Sequence, residues 1–202
     1  MNKFKHLALV LISGTLLFAT SCSKDTDTPE PERATLTTNT VTDLDGSKGA
    51  VYYSLSTNSQ ITGTDTATNK WDIKFLSTGI FVNGGSSGVG TTQAQVVSNT
   101  FTDLVTAPET GYKTDATGAA AITGWYTYTA LAAPQHAILA TPGKILVVKT
   151  STGNYAKIEM KSYYKGNPDT TIPAFADLTT RPASRYYTFR FAYQANGTTK
   201  LQ

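Results

Sequence analysis

The chain has 202 residues, a formal charge of +3 and one cysteine. That length favours one sizeable domain, and a lone cysteine excludes both an internal disulfide framework and a multi-thiolate metal site. Residues 1–21 read as a removable leader. Without them Lys and Arg fall from 17 to 15 against 14 Asp and Glu, a net +1, so the charge gives no footprint for a nucleic-acid partner.

Met1 to Lys5 is short and basic, and Leu7 to Phe18 is an apolar run of signal-peptide length, too short to span a bilayer comfortably. Ala19-Thr20-Ser21 then places small residues directly before Cys22, an order that resembles the lipobox of bacterial lipoproteins. The expectation is a signal peptide over 1–21, with Cys22 lipidated as the first mature residue. Several acyl chains hold a protein stably at a membrane surface. The alternative is a plain secretory signal with a chance cysteine. Residues 22–40 are polar, contain Pro29 and Pro31, and lack the apolar surface to fold, so they read as a disordered tether. Extended, such a spacer reaches roughly 50 Å.

From residue 41 to 202 the pattern is β. Val51 to Leu55 is a short strand. Trp71-Asp72-Ile73-Lys74-Phe75 alternates, with Trp71, Ile73 and Phe75 on one face. Ile80 to Val82 follows a turn at Gly79. "NGGSSGVG" (Asn83 to Gly90) lacks the Lys-Ser/Thr ending of a phosphate loop and opens no helix, so it reads as a wide loop or bulge, with a backbone that passes close to something else. Gln93 to Val97, Trp125 to Thr129, Ile145 to Thr150 and Tyr155 to Tyr164 are further strands, the last two joined by a hairpin at residues 151–154. Arg185 to Tyr193 puts Tyr187, Phe189, Phe191 and Tyr193 on one face. Asn196-Gly197 signals a tight turn, with Thr198 to Leu201 expected to return as a last strand. No twelve-residue window has helical periodicity. The expected class is all-β, antiparallel and sandwich-like, in one domain.

Few residues offer chemistry. The acids are scattered, no Ser/His/Asp arrangement is visible, and the reading is of a protein that is not an enzyme. Zinc needs three or four donors, and the mature chain holds one imidazole, His136, and no free thiol. "DLDGS" (Asp43 to Ser47) is too short for a calcium loop. Met160 shares a face with Ala156 and Ile158, which suits core packing better than ligation. His136 is either a single metal ligand or a solvated loop residue. Tyr126 and Tyr128 share a face beside its loop and are candidate ligand-binding residues. The Asn196-Gly-Thr198 sequon reads as a turn.

Four pieces in order after the lipobox and spacer, "WDIKF…IFVNGGSSGVG", "GWYTY", "PGKILVVKTSTGNYAKIEMKSYY" and "RYYTFRFAYQ", resemble the HmuY family of haem-binding lipoproteins. The pieces run from Trp71 to Gln194. The resemblance implies an all-β domain at the outer-membrane cell surface, lipid-anchored or shed. It implies capture of haem or a porphyrin and delivery to a TonB-dependent outer-membrane receptor. It also implies two iron-gripping histidines, one in the segment before the "GW" strand and one just after it, with methionines in some relatives. In this chain residues 111–123 contain no His or Met, Ala130 stands directly after "WYTYT", and His136 comes six residues later. Neither ligand position is matched, so haem is the expected ligand with His136 as its one candidate axial donor. The rival expectation is a surface lipoprotein of the same fold that recognises a glycan or a protein partner instead.

Overall fold

A computed structural model describes residues 36–202. The leader over 1–21, Cys22 and the tether up to residue 35 lie outside the described residues. Eleven strands are described, in chain order β1 (Thr37–Asp45), β2 (Val51–Ser54), β3 (Ser59–Ile61), β4 (Ile73–Leu76), β5 (Gly79–Val82), β6 (Gln93–Ser98), β7 (Tyr126–Tyr128), β8 (Ile138–Ala140), β9 (Lys144–Lys149), β10 (Tyr155–Tyr164) and β11 (Ser184–Gln194). Among the described residues helix is confined to one 3-10 turn (Gly63–Ala67) and one α-turn, α1 (Pro173–Ala176). The expected all-β, antiparallel class holds.

The strands form a five-stranded sheet, β1-β11-β10-β9-β6, a four-stranded sheet, β3-β2-β4-β5, and a β7-β8 ribbon. The main core lies between the two larger sheets. Tyr53, Ile73, Phe75, Ile80 and Val82 come from one side; Leu146, Val148, Ile158, Met160, Tyr187, Phe189 and Phe191 come from the other. Alternation places these side chains inward. Phe75 stacks on Tyr187 at 4.6 Å and lies 5.3 Å from Phe189. Such pairs add about 1 kcal/mol each beyond their buried area.

The outer face of the five-stranded sheet is covered as well. Ile145, Val147, Tyr155 and Ala192 form a second cluster with Phe101, Leu104, Ala107 and Leu201. Lys157 is buried there, its ammonium donating to the carbonyls of Phe101 at 2.6 Å and Leu104 at 2.9 Å. Desolvation lowers the Lys157 pKa, with a further contribution from the nearby Arg190. Most of β10 is therefore buried on both faces, with Glu159 half-buried and Lys161 exposed, and the polar Lys157 is tolerated inside because its ammonium has carbonyl partners.

Two expectations are corrected. The tether does not extend to residue 40, because β1 already begins at Thr37, pairing Thr37 with Tyr193 and Asn39 with Phe191. This is an edge strand with mostly exposed Thr and Asn side chains, so its composition resembles a spacer. Thr198 to Leu201 does not return along β11. Lys200 instead bridges Thr106, and the Leu201 amide donates to the Val105 carbonyl at 2.8 Å. Burying Leu201 in the second cluster draws the chain across the sheet face.

Candidate functional site

The β7-β8 ribbon, which carries the sequence-predicted site residues, is fixed at its base. Trp125, just before β7, is buried, and its indole N–H donates to the Thr78 carbonyl at 2.9 Å, tying the ribbon to the β4-β5 turn. On the other side the Ile138 amide donates to the Tyr164 hydroxyl at 3.0 Å, tying β8 to β10. Tyr126 pairs with Ala140, and Tyr128 with Ile138. Strand alternation puts Tyr126 and Tyr128 on one side of the ribbon. Tyr126 packs edge-on to Trp125 at 4.9 Å, and Tyr128 is 53% exposed.

Residues 129–137 close the ribbon as a hydrogen-bonded loop rather than the loose one their Ala-rich sequence suggests. Thr129 holds the neck: its amide donates to the Ala137 carbonyl at 3.0 Å, and its hydroxyl accepts from the Ala137 amide at 2.8 Å. The His136 amide donates to the Ala130 carbonyl at 2.7 Å. Six residues apart in sequence, Ala130 and His136 are therefore neighbours in space. Both have positive φ, 49° and 55°, so the neck turns through left-handed backbone at each end.

His136 is exposed, and its Nδ1 lies 2.7 Å from the Tyr128 hydroxyl. The rings lie 6.1 Å apart at 31°. The phenol oxygen can accept an Nδ1–H, and that tautomer leaves the Nε2 lone pair free. Leu131, 74% exposed at the loop tip, adds apolar surface to the same loop.

Beside the ribbon base is an open cleft of about 410 Å³, walled by Thr78, Gly79, Ile122, Gly124, Trp125 and Tyr126 among others. Its far wall, residues 120–122, is held by buried Asp115. One carboxylate oxygen accepts from Val82 N at 2.9 Å, the other from Ala121 N at 2.7 Å. Ile122 also bridges Ile80 on β5. A smaller cleft of about 80 Å³ lies between β8 and β10. His136 is in the wall of neither. The structure thus brings His136 together with Tyr128 but seats Tyr126 in the cleft. The roles of Asp115 and Ile122 were not signalled by the sequence, because a lone Asp in a Gly- and Ala-rich segment looks like any turn residue.

The other candidates resolve into structure. The Asn83 to Gly90 loop is the close backbone approach that its glycines suggest. A Cβ on Gly85 would sit 1.9 Å from the Asp115 carbonyl oxygen, and one on Gly84 2.3 Å from that of Thr92. Asn83 is buried at its centre, donating to the Thr68 and Trp71 carbonyls and accepting from the Gly90 amide. Met160 packs in the main core. Asp45 accepts from the Ser47 amide and Asp43 from the Gly166 amide, so both acids of "DLDGS" act in turns. Among the described residues no three His, Cys, Asp or Glu side chains gather as a metal site.

These positions test the fit of an iron porphyrin. The sequence has two histidines, His6 and His136, and two methionines, Met1 and Met160. Among the described residues the methionine is Met160, enclosed in the core, so no methionine there can pair with His136 as an axial donor. A single-donor attachment does fit: His136 presents one free imidazole nitrogen, oriented by Tyr128, beside Ala130.

The family model described as HmuY protein matches residues 47–132. Over those residues the chain is similar to the HmuY family. The match spans β2 to the ribbon tip, while the β9, β10 and β11 motifs lie beyond it. Among solved structures, the apo HmuY analog of Tannerella forsythia is similar at TM-score 0.52 and 14% identity, covering 80% of this chain and 97% of that one. A Bacteroides vulgatus protein provisionally assigned as HmuY-like and haem-binding is similar at TM-score 0.47 and 13% identity, covering 80% and 93%. Apo PinO of Porphyromonas is similar at TM-score 0.46 and 14% identity, covering 80% and 100%. At such identities the Tannerella likeness is one of fold. No curated protein matches the chain.

Proposed function

We propose that this HmuY-like chain is a non-enzymatic haem- or porphyrin-binding surface protein, anchored through lipidated Cys22 at the outer membrane and working beside a TonB-dependent receptor. One observation carries the haem reading. The loop neck sets His136 beside Ala130, where the family resemblance expects an axial ligand, with Nδ1 held by Tyr128 and Nε2 free. Haem supplies a flat apolar ring and an iron that takes an imidazole donor. The protein's part is to hold the imidazole in one tautomer and to offer Tyr126, Tyr128 and Leu131 as apolar contact. A hydrogen-bonded partner on the other ring nitrogen raises the basicity of a ligating histidine, and its loss typically weakens metal affinity ten- to a hundredfold.

The test is titration of the chain from Ser23 onward with ferric haem, following the Soret band under oxidising and reducing conditions. A shifted band is expected. His136→Ala abolishes the shift, and Tyr128→Phe weakens haem affinity about tenfold while leaving the band position near that of the parent. No spectral response in the parent protein removes haem from the account. An unchanged spectrum in His136→Ala removes that residue. Binding on a glycan array with no haem response favours the rival reading, in which the same fold recognises a surface glycan.

A further inference from the structure

A second cleft, of about 320 Å³, lies along edge strand β6, walled by Ala94, Val96 and Ala121 together with Lys113 and Lys144. It and the Trp125–Tyr126 cleft both have Thr123 and Gly124 in their walls. Gly124 has φ +72°, and a Cβ there would meet nothing within 4 Å. At Gly124 the divider between the clefts is thus bare backbone facing open space. One arm is aromatic and the other dibasic, and no carboxylate is in the wall of either.

The two lysines are presented by rigid backbone. Lys113 exchanges both amide hydrogen bonds with Ala94, at 2.8 and 2.9 Å. Lys144 pairs with Ser98 at the far end of β6. Directly opposed residues share a sheet face, and Ala94, Val96 and Ser98 lie on one face by alternation. Both stems therefore rise on the cleft side, about 13 Å apart along β6. Among the described residues neither ammonium lies within ion-pair distance of a carboxylate. The Lys144 ammonium donates to the Ser98 hydroxyl at 2.8 Å, a neutral partner. Two cations over an acid-free cleft next to an aromatic slot complement a flat apolar molecule bearing carboxylates.

We infer that the joined clefts are a recognition subsite for the carboxylates of a porphyrin, its ring against Tyr126 and its acid groups at Lys113 and Lys144. This rests on the tetrapyrrole reading above and adds that recognition there needs no iron. It predicts discrimination between a free porphyrin diacid and its ester.

The experiment measures binding of iron-free protoporphyrin and of its dimethyl ester to the chain from Ser23 onward, which contains all the described residues 36–202, by porphyrin fluorescence anisotropy. The diacid should bind more tightly than the ester. Lys113→Gln with Lys144→Gln should weaken the diacid about tenfold and leave the ester unchanged, the size expected for two solvent-facing ion pairs. Equal affinity for diacid and ester in the parent protein overturns the inference and requires no variant, so misfolding cannot mask the answer. A double variant that still binds the diacid at the parent affinity overturns it too. If ferric haem shifts its Soret band while the iron-free diacid does not bind, this subsite falls and the haem reading stands. If neither haem nor porphyrin binds, the haem reading itself falls first.

Discussion

Oδ2 of Asp72 accepts from the Leu55 amide at 2.7 Å, but burial outweighs that bond and pushes the carboxyl pKa up to about 6, above its usual 3.8. The sign follows from linkage. Between pH 3.8 and about 6 the folded form holds a proton that the unfolded chain has released, so the stability it contributes is complete below the lower value and is lost as pH rises through the upper. Asp72→Asn removes that loss. Urea midpoints of parent and variant at pH 4 and pH 7 should show the parent losing up to about 3 kcal/mol relative to the variant across the interval. Equal pH profiles would show that Asp72 titrates normally. At this scale the sequence was partly legible. His136, Tyr126 and Tyr128 could be named because imidazole and phenol are scarce or patterned types. Asp72 and Asp115 could not, because nothing in a lone aspartate says that a chain tens of residues away will bury it. Asp115 takes its partner Val82 from 33 residues upstream.

Among the elements, strands with aromatic or β-branched alternation were readable, and those without it were not. β11 alternates through Tyr187, Phe189, Phe191 and Tyr193 and β10 through Ala156, Ile158 and Met160, whereas β1 is Thr-rich and β3 and β8 have three residues each. The ribbon partner β8 is visible only through its pairing to β7. Element geometry also explains the glycine loop, where β5 ends and the chain must pass under residues 114–115. Gly85 has φ +64° and almost no space for a side chain, so Gly85→Ala combines left-handed strain with a backbone clash. It should destabilise the fold by about 3 kcal/mol or more by urea denaturation. Gly118→Ala, where a Cβ meets nothing within 4 Å, keeps the left-handed strain (φ +77°) without the clash and should cost about 1 kcal/mol. Similar losses at the two positions would mean that the loop yields.

For the molecule as a whole, the sandwich was legible as a class, but its second covered face was not. The loop over residues 99–107 and the C-terminal Leu201 look like surface connections in the sequence, and they form a core only because the outward residues of β9, β10 and β11 need cover. β1 has a similar protective role at the sheet edge. It pairs along β11 from Tyr186 to Tyr193, so its removal leaves a long aromatic strand with open backbone groups. A chain lacking residues 37–45 should associate at micromolar concentration, seen by sedimentation velocity, while the intact unit remains of one size. A monodisperse deletion would show that β11 needs no guard.

Trp125 and Trp71 are the two tryptophans of the chain. Trp125 lines the aromatic cleft, whereas Trp71 packs edge-on to Tyr52 at 5.0 Å and donates to the Thr66 carbonyl. Replacing Trp71 with Phe leaves a single indole, at the wall where a coloured guest would lodge. Near-ultraviolet emission from that one indole then dims as guests enter, so occupancy can be read without any attached dye.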